Sequence, residues 1–140
     1  MNKQIFVNLP VSDMNESTKF YQELGFTMNP AFSNESGSCM VWSDEIAVML
    51  LAHDFYKSFF INKEIADTKR TSGVLLCLSM ESKEAVQHFA DTAKKNGGDF
   101  YQVESGAPAD MMFGLEVQDI DGHTWEPMWM SPEFNPQSEA

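Results

Sequence analysis

The chain has 140 residues, 43% of them hydrophobic, and its 21 acidic against 9 basic side chains give a formal charge of −12. One core is the default at this length, and the 11 Phe and 10 Met exclude disorder over most of the chain. Basic residues cluster only at Lys69-Arg70 and Lys94-Lys95, which argues against nucleic acid and anionic membrane partners, and no apolar run approaches the roughly 20 residues needed to span a bilayer.

From the N-terminus, Ile5, Val7, Leu9 and Val11 alternate with Phe6, Asn8 and Pro10, the period of a strand with one face on a helix and one face free. With no cleavage-like site after it, the segment reads as a strand and not as a signal peptide. Asp13 stands as an N-cap with Glu16 three residues on, and Ser17, Tyr21 and Leu24 share a stripe before Gly25, predicting a helix over about Asn15 to Leu24. Three strand-like pieces follow, Phe26 to Phe32, Cys39 to Ser43 and Ile46 to Leu51, separated by polar turn residues. His53 to Arg70 suits a short helix and connector, with Phe55, Phe59 and Phe60 expected against the core.

At Gly73 the pattern restarts. Val74 to Ser79 reads as a strand, Ser82 as a cap, and Lys83 to Lys95 as a helix with Ala85, Phe89 and Ala93 on one face, ended by Asn96-Gly97-Gly98. Strands are expected at Phe100 to Glu104, Met111 to Gln118 and Thr124 to Met130, the last two joined by the turn Asp119-Ile-Asp-Gly122. The repeat predicts an α+β chain with module one at about 4–52, a connector at 53–72, module two at about 73–130 and a frayed tail at 131–140. Cys39 and Cys77 have apolar neighbours and form no CxxC pair, so both are expected to be buried and reduced, as in a soluble cytoplasmic protein.

Three segments carry a resemblance: Asn8-Leu-Pro-Val-Ser-Asp13, Phe20-Tyr-Gln-Glu-Leu-Gly-Phe26 and Gln118-Asp-Ile-Asp-Gly-His-Thr-Trp-Glu126. They resemble the vicinal oxygen chelate superfamily (glyoxalase, bleomycin resistance and extradiol dioxygenase proteins), especially its predicted lactoylglutathione lyase-like branch. The resemblance runs from about Gln4 to Met130 and implies two βαβββ modules whose mixed sheets curl into a cup that holds a ligand. It also implies four metal-ligand positions, which fall on Phe6, Met49, Leu75 and Glu126. Only Glu126 among these binds a hard or borderline cation, so no metal and no other cofactor is expected.

Glu126 is the candidate for chemistry, because a carboxylate between Trp125 and Met128 on an inward strand needs a partner or a shifted pKa. Its plain alternative is a carboxylate satisfied by neighbouring polar groups. Phe6, Asn8, Trp42, Met49, Leu75 and Met128 are the candidate ligand contacts, with Met40 and Met130 as further apolar wall; Trp42 and each Met alone are more often ordinary core, and the plain alternative for Asn8 is to satisfy a local backbone group. Trp125 and Trp129 are read as structural, His88 as exposed on a helix flank, and His123 as a residue that bonds its turn. Gly106 to Asp110 is a candidate lid. The leading expectation is a homodimeric protein that binds a small-molecule ligand; the alternatives are a lyase or isomerase with Glu126 as proton-transfer base, and a structural dimer.

Overall fold

The computed structural model describes residues 2–104 and 106–134, and the chain divides into two units, Met1–Thr71 and Ser72–Ala140. The part of the expected frayed tail from residue 135 onward lies outside the described residues.

In the first unit, β1 (Ile5–Val11) and α1 (Met14–Glu23) are followed by β2 (Thr27–Met28), β3 (Gly37–Val41), β4 (Ile46–Ala52) and α2 (His53–Lys57). The sheet order is β1-β4-β3-β2, with β1 parallel to β4 and the other pairs antiparallel. Strand alternation separates two faces. Leu9, Val48, Leu50 and Met40 are at most 3% exposed on the side that meets α1, where the Thr18 hydroxyl bonds the Ser38 hydroxyl at 3.0 Å. Each such enclosed side chain contributes about 1.5–3 kcal/mol. The Asp13 carboxylate caps α1 by accepting from the Glu16 N–H at 3.0 Å, and Phe20, Tyr21, Phe26 and Trp42 form a chain of ring contacts beyond it.

In the second unit, β5 (Leu75–Ser79) and α3 (Lys83–Lys95) are followed by β6 (Asp99–Tyr101), β7 (Met112–Gly114), β8 (Glu116–Gln118) and β9 (Thr124–Met130). The order β5-β9-β8-β6, with β5 parallel to β9, repeats that of the first unit, and β7 also pairs with β9. The Ser82 hydroxyl caps α3 by accepting from the Ala85 N–H at 3.0 Å, and Gly97, at φ 102, leaves the helix in the left-handed region that favours glycine. Val86, Phe89, Ala90 and Ala93 bury the inner face of α3, one residue around from the stripe expected on Ala85. The expected strand Met111 to Gln118 is divided at Leu115, which lies opposite Pro127. Proline has no N–H to give the ladder, while Leu115 still donates to the Pro127 carbonyl at 3.3 Å, so register is kept across the break.

Several expectations are corrected. Phe26 to Phe32 is not one strand: Pro30–Phe32 forms a 3-10 turn, with Pro30 lacking a ladder donor and Asn29 capping it at 3.1 Å from the Ala31 N–H. Phe55, Phe59 and Phe60 are 42%, 62% and 43% exposed and pair with one another or with Tyr56, because α2 is too short to turn a whole face inward. Cys39 is buried, but Cys77 is exposed because it lies on the edge strand β5. No helix among the described residues is long and apolar enough to cross a membrane.

Candidate functional site

Alternation along the second sheet turns Trp125 and Pro127 toward α3 and turns Glu126 and Met128 the other way. That helix-free face carries a cavity of about 730 Å³, lined by Glu126, Met128, Glu116, Phe113, Met112 and the segments 102–104 and 106–109. The small-residue loop proposed as a lid thus forms part of the wall, through Gly106, Ala107, Pro108 and Ala109.

The polar centre of the cavity is a pair of carboxyl groups. Register carried through Gly114↔Met128 and Val117↔Trp125 sets Glu116 opposite Glu126, and the outer strands add Cys77 beside Glu126 and Tyr101 beside Glu116. Glu116 is 7% exposed. Burial, a hydrogen bond to the Glu126 side chain and the Glu126 charge push its pKa up to about 7, against a smaller opposing pull from its own backbone N–H and that of Val103. The Cys77 thiol is pushed up to about 11, first by burial of the sulfur and then by the charge of Glu126, to which it also hydrogen-bonds. A carboxyl group that titrates near neutrality can hold a proton, release it or donate a hydrogen bond. Gly114 makes room for the pair: a Cβ there would meet the Pro127 carbonyl at 3.3 Å and the Glu126 side chain at 3.6 Å.

The first unit has its own cavity of about 550 Å³ on the helix-free face of its sheet, lined by Phe6, Met49, Ile5, Phe32 and Cys39 among others. Of the residues singled out from sequence, Phe6 and Met49 line this cavity, and Glu126 and Met128 line that of the second unit. Trp42 and Met40 lie on the opposite strand face, Trp42 against Phe26 and Met40 fully buried under α1, and neither lines either of these two cavities. The Asn8 amide donates to the Phe6 carbonyl at 3.1 Å, its local alternative. Leu75 is 52% exposed on edge strand β5 and lines neither cavity. His88 is exposed, and the turn before β9 is tied by the Asp119 carboxylate, which accepts from the N–H groups of Asp121 and His123 at 3.0 and 2.9 Å. Glu116 was missed by the sequence reading.

The implied metal does not fit these residues. Phe6 and Leu75 have no donor atom and Met49 offers only a thioether, and among the described residues no group of three or more His, Cys, Asp or Glu side chains is placed to hold an ion.

Both sheets show the same strand order and helix placement, and the fold as a whole matches solved structures. A glyoxalase/bleomycin resistance protein/dioxygenase family enzyme from Burkholderia phytofirmans superposes with a TM-score of 0.72 over 93% of this chain and 100% of its own, at 18% identity. The fold is that of the glyoxalase/bleomycin resistance proteins. A hypothetical protein from S. aureus matches with TM-score 0.72 at 23% identity, over 92% of this chain and 94% of its own. A bleomycin-binding protein in complex with bleomycin matches with TM-score 0.61 at 17% identity, over 93% of this chain and 100% of its own. Residues 3–43 match the family model "Bleomycin resistance protein-like N-terminal". No curated protein matches the sequence.

Proposed function

We propose that this chain is a member of the vicinal oxygen chelate superfamily and that it binds a small molecule in the cavity of its second unit, against Glu116 and Glu126. The observation that carries this reading is a hydrogen-bonded pair of carboxyl groups, Glu116 buried and Glu126 half-buried, at the wall of a cavity of about 730 Å³, a volume in the range of small-molecule sites. The apolar side chains of Phe113, Met112 and Met128 supply contact area around that polar centre. The solved bleomycin complex on the same fold is a precedent for binding without being evidence of this chain's ligand. Native mass spectrometry of the full chain incubated with a metabolite extract tests the reading: a retained mass that is lost in Glu126→Gln supports it, and a chain that retains nothing contradicts it.

A second reading is favoured by one specific observation. A carboxyl group with a pKa of about 7 beside a second carboxyl is suited to moving a proton at neutral pH, as a lyase or isomerase of the lactoylglutathione lyase type requires. In that reading Glu126 takes the proton and Glu116 sets its charge state. Turnover of a hemithioacetal adduct, lost in Glu126→Gln, separates this reading from binding alone.

A further inference from the structure

If the second unit's cavity is the binding site, its lining also specifies the charge of the ligand. Among the described residues three carboxylic side chains, Glu104, Glu116 and Glu126, line it, and no Lys, Arg or His does. Glu116 is 7% exposed, and the groups that act on its charge are the Glu126 side chain and its own and the Val103 backbone N–H, with no basic side chain among them. No element around Glu116 brings a basic group. β9 presents Glu126, β5 presents the Cys77 thiol beyond it, β6 places Tyr101 opposite Glu116, the segment after β6 presents Glu104 and the Val103 N–H, and residues 106–109 present no titratable side chain. A buried acid among like charges is a cost that a bound cation removes.

We propose that the cavity takes a singly charged organic cation, a protonated amine or amidine with an apolar body, which enters in exchange for the proton shared by Glu116 and Glu126. The exchange balances without a redox or covalent step. The Glu116 O–H breaks, its proton leaves to water, and the ligand's N–H groups become donors to both carboxylates. Phe113, Met112 and Met128 receive the apolar body. The inference rests on the binding reading above, and it fixes a sign. Cation binding favours the ionised pair, so affinity rises with pH through about 7 and levels off above it.

The test uses two probes of nearly equal size, benzylammonium and benzyl alcohol, titrated into the full chain by NMR and by calorimetry in buffers of different ionisation heat. Benzylammonium is expected to bind on the order of tenfold tighter at about pH 8 than at about pH 6, and to release a proton on binding at about pH 6, while benzyl alcohol binds more weakly and without pH dependence. In Glu116→Gln the proton release and the pH dependence disappear. Should that variant fail to fold, the pH and buffer series on the unaltered chain decides the matter. Equal binding of the two probes, or ammonium binding without proton release, overturns this inference and leaves small-molecule binding standing. If neither probe shifts resonances of Met112, Phe113 or Met128, both fall.

Discussion

Glu116 on β8 stands across the ladder from Glu126 on β9 and is hydrogen-bonded to it, so two acids share one patch of the helix-free sheet face. The fold retains this pair at the expense of stability at neutral pH. The folded pKa of Glu116 is raised from 4.5 to about 7, so its contribution is complete below about pH 4.5 and is lost as pH rises through about 7. Glu116→Gln should therefore match the unaltered chain near pH 4 and exceed it by on the order of 1–2 kcal/mol near pH 8, the cavity mouth screening part of the effect. Urea unfolding at the two pH values checks this; a stability difference that does not change with pH contradicts it.

Cys77 is exposed yet should alkylate slowly. Its thiol is pushed up to about 11 by burial of the sulfur and by Glu126, and the thiolate is the reactive species. Glu126→Gln should raise the rate of iodoacetamide labelling at about pH 8 severalfold. An unchanged rate would show that Glu126 does not act on the thiol.

Ser82→Ala should cost about 1 kcal/mol by removing the cap of α3, and Phe89→Ala about 3–5 kcal/mol by opening the core beneath it. Phe59→Ala, at a residue 62% exposed, should stay within about 0.5 kcal/mol. Thermal or urea melts rank the three; a costly Phe59→Ala would mean that the ring is covered in solution.

The chain should be a homodimer. Ile5 and Phe6 on edge strand β1 are 57% and 53% exposed, and Val74 and Leu75 at edge strand β5 are 53% and 52% exposed, bare apolar edges of the kind that a second copy would cover. Light scattering should report twice the chain mass of 15.8 kDa at micromolar concentration, and a monomer mass contradicts this.

Much of the fold was legible because period and punctuation agree. β1, β9 and α3 occupy the spans that alternation, caps and glycines predict. The failures have local causes: Pro30 removes a donor and turns a strand end into a 3-10 turn, and Pro127 interrupts a strand it does not itself belong to. Face assignment then misplaced Trp42, which alternation through Ser38 and Met40 puts on the helix side. The candidate site was half legible. Glu126 stood out in a recognisable motif, whereas Glu116 lies in a short strand with no motif of its own. Its signal was the hairpin: counting back from the turn Asp119-Ile-Asp-Gly122 sets Val117 against Trp125 and hence Glu116 against Glu126.

The central claim is that Glu126, with Glu116, is the polar anchor of a small-molecule site. Calorimetry of Glu126→Gln against the unaltered chain, with benzylammonium as probe and melting temperature recorded in parallel, tests it most directly. The account predicts a loss on the order of 1.5–3 kcal/mol in binding, as for hydrogen bonds to a charged group, with a melting temperature that does not fall. A variant that binds the probe normally yet melts much earlier would make Glu126 a structural carboxyl and contradict the account.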